Sequence, residues 1–337
     1  MNNNIFKLTL FFIVSFLLLS PTIIIIFNGL DSINNTSNLY ASRYILGSTR
    51  LLLLVSLVVI FISVPLAWVN TMTNFWGRKL IQIFCILPLG VPAYISAYAY
   101  AELLEPGGYL SLTFISYKGF SLRNEFFGSL ILSLSLFPYV YLLTRIAIIN
   151  FSARYIEAAK TMGKGPFECF FRVGLPMALP GIAAGLALAL METINDFGVA
   201  DFFGLQTLTI GVFQYISIIN DLPAAFLLSL IIFILMIGLY VFEQIIRGKK
   251  KFHNSNYESI EWSRYQLGKF KGALVLFCGG LPIIFGFIIP LFFTFYIFLL
   301  HLNKIDYSNY FSSLSSSFLV GSIVGLFCVF ISIFINF

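Results

Sequence analysis

The sequence contains few charged residues. Lys, Arg, Asp and Glu make up 10% of its 337 residues, whereas 59% are hydrophobic, and the mean hydropathy is +0.94. A soluble domain of this length carries a much larger share of charge on its surface. The composition therefore excludes a soluble domain and predicts a polytopic membrane protein.

Cysteine is also scarce, and the positive charge is not gathered into one patch. Cys85, Cys169, Cys278 and Cys328 lie far apart, unlike the cysteines of a disulfide framework or a paired-cysteine metal site. No metal ligands are assigned. The formal net charge is +6, but no basic stretch is interleaved with aromatic residues as nucleic-acid binding requires. We expect contact with membrane lipid and none with nucleic acid.

Long apolar runs dominate the chain instead. A helix of about 20 apolar residues crosses a hydrocarbon core of roughly 30 Å. We predict eight such spans, at Leu8–Phe27, Tyr44–Trp68, Leu80–Leu104, Gly128–Ile149, Leu179–Gly198, Ala224–Ile246, Gly272–His301 and Ser317–Phe337. Pro88 and Pro92 should kink or break the third span. The predicted fold class is all-α, a polytopic transmembrane helical bundle.

The distribution of Lys and Arg predicts how the bundle is oriented. With a cytoplasmic N-terminus, the loop before the fifth span and the basic segment after Ile246 both lie in the cytoplasm. The basic residues left on the far side are then Arg43, Arg50, Lys118, Arg123 and Lys304. Cytoplasmic loops carry the excess of positive charge in membrane proteins, so we predict a cytoplasmic N-terminus.

A short internal repeat indicates two homologous halves. Ile60–Ser63 recurs as Val329–Ser332, and Pro21 recurs as Pro290 at the same offset. Repeats of this kind mark duplicated structural units. We predict a first half over residues 1–246, a basic cytoplasmic linker over 247–271, and the start of a second half over 272–337. On this interpretation the second half is truncated.

Residues 150–180 form a polar interruption between two apolar spans. Ser152–Met162 is rich in good helix formers, and Gly163 is placed to end that helix. Pro166 suits the first position of a second helix and Glu168 its first turn. We expect two short helices joined by a glycine turn, and then a new start of the chain into the fifth span near Leu179.

The same loop carries a spaced motif. In order, its residues are Glu157-Ala158-Ala159, Gly163, Val173, Leu175 and Pro176. The two small alanines would let their helix enter a groove on a partner. The motif resembles the EAA loop of type I ABC-importer permeases, which has isoleucine where this chain has Val173. The resemblance implies that these seven residues couple the permease to a cytoplasmic ABC ATPase dimer.

Two further stretches narrow the resemblance. Leu87–Tyr94 with Ala97–Tyr100, and Met191–Gly198 with Phe203–Thr207, resemble the permeases of bacterial ferric-iron importers. This implies the type I permease fold, the bacterial inner membrane, and a periplasmic iron-binding protein as a partner. The sequence has no G-x-x-x-x-G-K-[ST] phosphate loop. We therefore expect ATP on a separate ATPase, with no cofactor and no catalysed reaction on this subunit.

Two polar stripes are candidates for the translocation pathway. Carboxylates in membrane helices usually face the protein interior or water, and hard cations such as ferric iron prefer oxygen ligands. The candidates are Glu192, Asn195 and Asp196 on the fifth span, and Tyr94, Tyr98 and Glu102 on the third. Two alternatives are open. Glu192 could pair with Arg145 or cap a helix, and the tyrosines could belong to the interfacial aromatic belt.

These observations predict a permease that moves ferric iron from a periplasmic binding protein into the cytoplasm. The motif in the loop identifies the machinery and not the cargo, so thiamine, a polyamine or an oxyanion are other cargoes of the same machinery. A secondary transporter driven by an ion gradient is the alternative from a different class. It would couple transport through Glu192 or Asp196.

Overall fold

The computed structural model describes residues 2–33, 41–113, 119, 121–151, 153–248, 264–302 and 306–336. The helices in these parts are α1 (Asn2–Ser32), α2 (Ala41–Met72), α3 (Arg78–Phe84), α4 (Ala93–Leu104), α5 (Tyr109–Thr113), α6 (Glu125–Phe151), α7 (Ala153–Thr161), α8 (Pro166–Cys169), α9 (Leu175–Asn195), α10 (Gly198–Phe203), α11 (Leu208–Ser217), α12 (Leu222–Arg247), α13 (Lys269–Ile283), α14 (Ile289–Leu300) and α15 (Tyr307–Asn336). Two short strands, β1 (Thr73–Asn74) and β2 (Tyr265–Gln266), pair in parallel.

Six helices in the described residues are long and apolar enough to cross a membrane. They are Ala41–Met72, Glu125–Asn150, Pro166–Asn195, Leu222–Arg247, Lys269–Leu300 and Tyr307–Ile333. These correspond to six of the predicted spans. The first prediction falls in α1, where Leu19–Ser32 forms a shorter apolar helical segment. The all-α transmembrane class is confirmed.

The third predicted span, Leu80–Leu104, is broken at its two prolines, as the sequence predicts. The chain bends by 90° between Arg78–Gly90 and Ala93–Thr113. A 3₁₀ turn at Leu87–Gly90 is followed by Val91 in an extended conformation, with φ −111° and ψ 118°. A residue that precedes a proline avoids the helical conformation, and Pro92 follows Val91 directly. The predicted break at the two prolines is therefore confirmed, and it divides the segment in two.

The fifth span begins earlier than predicted. Instead of starting near Leu179, the helix is continuous over Pro166–Asn195, with a π-helical turn at Phe170–Gly174 that joins α8 to α9. Pro176 lies just beyond this turn and lacks a backbone N–H. A proline inside a regular α-helix clashes with the preceding turn, and a wider π turn absorbs such irregularities. The wider turn lets one helix run from the polar loop through the membrane.

Helices α2, α6 and α9 form the centre of the bundle. The Ser63 hydroxyl of α2 donates to the carbonyl oxygen of Phe137 in α6, at 2.9 Å. On α9, Gly185 lies so close to α6 that an added Cβ would stand 2.6 Å from the Cα of Val140. Small residues at helix contacts allow this close approach in membranes, where packing replaces the hydrophobic effect as the driving force.

The chain forms two compact units. The larger one is Asn28–Phe293, and the smaller one consists of Met1–Phe27 and Thr294–Phe337. In the larger unit α13 packs closely on α2 and α3. An added Cβ at Gly279 of α13 would lie 2.9 Å from Leu66 of α2 and 3.1 Å from Ile81 of α3. The division into homologous halves stays a prediction.

The predicted linker over residues 247–271 is described only at its ends. Residues 249–263 lie outside the described residues. The C-terminal end of the predicted linker contains strand β2 and the start of α13 at Lys269. This end of the segment is therefore structured and joined to the rest of the larger unit through β1.

Candidate functional site

The loop between α6 and α9 folds as two short helices around a glycine turn. At the end of α7, the N–H of Gly163 donates to the carbonyl of Lys160 at 2.9 Å, and the N–H of Lys164 donates to that of Ala159 at 3.0 Å. Gly163 has a φ of +78°. This pair of bonds around a left-handed residue is the Schellman helix end, where glycine is favoured. The predicted glycine turn is confirmed.

The second short helix, α8, begins as the sequence predicts. Pro166 stands in its first turn, together with the acidic Glu168. The Glu168 carboxylate lies 3.4 Å from Lys164 Nζ and 3.7 Å from Arg172. All three side chains are substantially exposed, and exposed ion pairs contribute little to stability. These charges define the surface of the loop more than they hold it together.

The two motif alanines differ in their surroundings. Ala158 is exposed, whereas Ala159 is only 3% exposed and belongs to the hydrophobic core. Ala159 therefore lies off the accessible surface of the loop, because α7 turns this residue towards its own protein, and its part in coupling stays a prediction. Glu157, one position before Ala158, is partly exposed. Of the three motif residues on α7, Glu157 and Ala158 are the accessible ones.

Large exposed apolar side chains surround these two residues in the sequence, and the motif alone does not reveal them. They are Tyr155 (62% exposed), Met162 (72%), Phe167 (82%) and Phe171 (61%). Exposed apolar side chains in a polar loop are candidates for contact with a partner or with lipid. The available signal was the spacing of the two phenylalanines, since residues four apart share a helix face. We refer to these four side chains as the apolar set.

The last part of the motif anchors the loop to α2. Val173 and Leu175 are partly buried and pack against the core, whereas Pro176 is exposed. Between them, Gly174 lies against the indole ring of Trp68, leaving no room for a Cβ. The same indole lies 5.2 Å, centroid to centroid, from the ring of Phe170. Trp68 thus joins the π turn to α2, a role that its position in an apolar span did not indicate.

At the other end of α9, the first polar stripe begins a new helix. Asp196 Oδ1 accepts hydrogen bonds from the N–H groups of Val199, at 2.9 Å, and Ala200, at 3.3 Å. The carboxylate therefore caps α10. Glu192 and Asn195 are exposed. Within the described residues Glu192 forms no ion pair with Arg145, so that alternative is not observed.

The second stripe lies close to the first because α10 packs on α4. An added Cβ at Gly198 would stand 2.8 Å from the Cβ of Tyr94. The rings of Tyr98 and Phe202 are 6.3 Å apart in an edge-on arrangement. Tyr94, Tyr98 and Glu102 are all exposed. The fold thus brings two stripes from distant parts of the sequence together where α10 packs on α4, with an exposed carboxylate on each and phenol groups on the second stripe only.

The fold is similar to that of known membrane transporters. A bacterial alginate ABC transporter, solved in complex with an alginate pentasaccharide-bound periplasmic protein, aligns with a TM-score of 0.54 and 17% identity, over 71% of this chain and 92% of that one. A second structure of a bacterial alginate importer gives 0.53, also with 17% identity, over 72% and 96%. At this identity the likeness establishes the fold alone.

Curated relatives carry several different cargo names. The molybdenum transport system permease protein ModB of Haemophilus influenzae is 27% identical over 46% of this chain and 71% of its own length. The Fe(3+)-transport system permease protein FbpB 2 of the same organism is 27% identical over 54% of this chain, but the match spans only 33% of that relative. The spermidine/putrescine permease PotB, again of H. influenzae, is 29% identical over 51% of this chain and 63% of its own length.

A family profile covers the central part of the chain. It is described as binding-protein-dependent transport system inner membrane component, and it matches residues 59–251. This range is more than half of the sequence, and it includes the α7–α8 loop and both polar stripes. The chain belongs to the family of binding-protein-dependent transport system inner membrane components, the permeases of type I ABC importers.

Proposed function

We propose that this permease moves ferric iron into the cytoplasm and is driven by an ATPase that docks on the α7–α8 loop. The structure of the loop is the observation that supports this docking site. It combines the spaced motif, a Schellman turn at Gly163 and the exposed apolar set. An apolar surface with charges around it suits a helix that inserts into a partner's groove.

The continuous helix from α8 through α9 supports a direct mechanical link. It contains 30 residues over Pro166–Asn195, which corresponds to about 45 Å at 1.5 Å per residue. Its first turn belongs to the docking loop, and its last turn carries Glu192 and Asn195. A displacement of the loop by the ATPase would therefore reach the polar stripes without an intervening flexible segment.

The chemistry of the stripes favours a cation as cargo. Glu192 and Glu102 are exposed carboxylates, and the exposed Tyr94 and Tyr98 share a face of α4 with Glu102. Oxygen ligands of this kind suit a hard cation such as ferric iron. The same carboxylates would repel an oxyanion. The iron relative, 27% identical over 54% of this chain, agrees with this choice.

Molybdate is the second candidate cargo. The observation in its favour is that molybdenum permeases occur among the relatives from different organisms, including ModB of Escherichia coli, which is 29% identical over 42% of this chain and 64% of its own length. On this alternative the docking loop keeps its role, and the two stripes do not contact the cargo.

Uptake assays with both cargoes test the proposal. In cells expressing the permease with its ATPase and binding protein, we expect ATP-dependent uptake of radiolabelled ferric iron. We expect uptake at limiting iron to fall about tenfold in Glu192→Gln, since loss of one supporting ligand costs 10- to 100-fold at metal sites. Glu125→Gln is the matched control, because Glu125 lies at the start of α6 and pairs at 3.9 Å with Arg50.

Three results would separate the alternatives. Iron uptake that is lost in Glu192→Gln and kept in Glu125→Gln supports the proposal. If molybdate is taken up and iron is not, and neither substitution affects that uptake, the cargo is an oxyanion instead of iron. The proposed docking site of the ATPase is not affected by that result. Iron uptake that persists when the ATPase is omitted would contradict the proposed driving force.

A further inference from the structure

A short segment outside the motif contacts the docking loop. Residues 264–268, which we call the strap, lie between the described end of α12 and the start of α13. Within the strap, Tyr265–Gln266 pairs in parallel with Thr73–Asn74 at the end of α2. The N–H of Leu267 donates to the Asn74 carbonyl at 3.1 Å, and the Asn74 amide donates to Gln266 Oε1 at 3.1 Å. The strap is thus fixed to the end of α2.

From this position Tyr265 touches both helices of the docking loop. Lys160 Nζ, in the last turn of α7, lies 4.2 Å from the centroid of the Tyr265 ring, a cation–π contact. The Tyr265 hydroxyl is buried, and its side chain packs against the core cluster that includes Ala159 of α7 and Cys169 at the end of α8. Burial, followed by the nearby thiol, raises the pKa of Tyr265 to about 12. One side chain therefore spans the glycine turn.

The α7 side of the loop needs support from outside. Helix α7 has nine residues, and an isolated helix of this length is not stable in water, whereas α8 continues into α9. Nothing lies within 4 Å of the position that a Cβ would take at Gly163 or Gly165. The turn is closed by backbone hydrogen bonds without side-chain packing at these two glycines. Contacts from outside the loop therefore add to the support of the two helices.

We infer that Tyr265 is a positioning residue for coupling: it holds α7 and α8 at a fixed angle and ties them to the end of α2. The inference rests on the proposed docking of the ATPase on this loop. It adds a contact that the motif does not contain, contributed by a segment about a hundred residues further along the chain. Through β1, a force on the loop reaches α2 in addition to α9.

Burial of Cys169 gives a readout that is independent of transport. Its thiol is 0% exposed and donates to the Lys164 carbonyl at 3.6 Å. With Cys85, Cys278 and Cys328 replaced by alanine, we expect Tyr265→Ala to speed labelling of Cys169 by a maleimide at least about tenfold, since the cover over the thiol opens locally. Phe270→Ala is the matched control, because Phe270 is a nearby aromatic residue that is 82% exposed.

The second readout is ATPase activity of the reconstituted complex. We expect the ATPase to co-purify with the Tyr265→Ala permease as it does with wild type. The stimulation of ATP hydrolysis by loaded binding protein should fall at least about fivefold, in the range of ordinary coupling between sites. Tyr265→Phe keeps the ring over Lys160 and should retain most of the stimulation. Phe270→Ala should behave as wild type.

The outcomes distinguish this inference from the proposed function. Unchanged Cys169 labelling in Tyr265→Ala overturns the contact between strap and loop, whatever the ATPase does. Faster labelling with full stimulation shows that Tyr265 only packs against the loop and overturns the positioning role. A wild-type permease that binds no ATPase contradicts the docking site itself, and the labelling experiment still tests the contact.

Discussion

Reversal of charge at Glu157 should reduce ATP-driven uptake at least about 100-fold while the permease stays folded. Glu157 is partly exposed and stands next to exposed Ala158 on α7, in the loop on which we propose that the ATPase docks. A wrong charge at a docked interface costs about 2 to 5 kcal/mol, and about 2.7 kcal/mol corresponds to 100-fold. The measurement is uptake in cells expressing Glu157→Lys with the ATPase and binding protein.

A matched charge reversal separates docking from folding. Glu125→Lys changes the same charge at the other end of α6, where the carboxylate is 3.9 Å from Arg50. This variant should keep most of its uptake and its association with the ATPase. In Glu157→Lys the ATPase should be lost on purification, and the permease should remain monodisperse. Normal uptake in Glu157→Lys would contradict the assignment of the loop.

The second large effect is expected at Gly174. Alanine there would bring a Cβ to 2.2 Å from a carbon of the Trp68 indole ring, which is 7% exposed and packed in the core. Overpacking of this kind costs about 1 to 3 kcal/mol, whereas alanine in place of a helical glycine otherwise gains about 1 kcal/mol. We expect Gly174→Ala to lower the unfolding temperature of the purified permease by several degrees and to reduce uptake, because the π turn must shift.

Two further variants check the cause. Gly165→Ala lies in the same loop in open space, with an ordinary φ of −71°, and should be close to neutral. Trp68→Phe removes the part of the ring that the new Cβ would meet, so the double variant should recover stability relative to Gly174→Ala. A Gly174→Ala protein as stable as Gly165→Ala would show that the contact with Trp68 is absent.

The parts of the fold that depend on local chemistry could be predicted from the sequence. The glycine turn at Gly163 follows from the left-handed conformation that ends a helix. The start of α8 follows from a proline and an acid in the first turn. The break near Pro92 follows from the restriction that proline places on the preceding residue. Each of these signals involves only a few neighbouring residues.

The parts that depend on tertiary packing could not be predicted. The packing of Trp68 against Gly174 in the π turn joins residues more than a hundred positions apart in sequence. The burial of Ala159 depends on which face of α7 packs inwards. Asp196 was a candidate pathway residue, and only the structure shows that its carboxylate caps α10. The contact of Tyr265 with Lys160 requires the pairing of β1 with β2.

Family membership also decides between the two classes of transporter. A secondary transporter driven by an ion gradient was an alternative on the evidence of Glu192 and Asp196 alone. The family profile over residues 59–251 describes a binding-protein-dependent system, and such systems are ABC importers. The acidic residues therefore need not couple ions to transport, and their proposed role is contact with the cargo.

The most direct test of the docking site is a cross-link from the loop to the ATPase. In a permease without native cysteines, Ala158→Cys and Phe167→Cys place a thiol on two exposed positions of α7 and α8. Ile218→Cys is the control, an equally accessible position, 72% exposed, between α11 and α12. We predict that a short bifunctional maleimide links both loop positions to the ATPase in membranes, and that it does not link Ile218→Cys. Absence of any loop-specific cross-link, in membranes where the ATPase still co-purifies with the permease, would contradict the α7–α8 loop as the docking site.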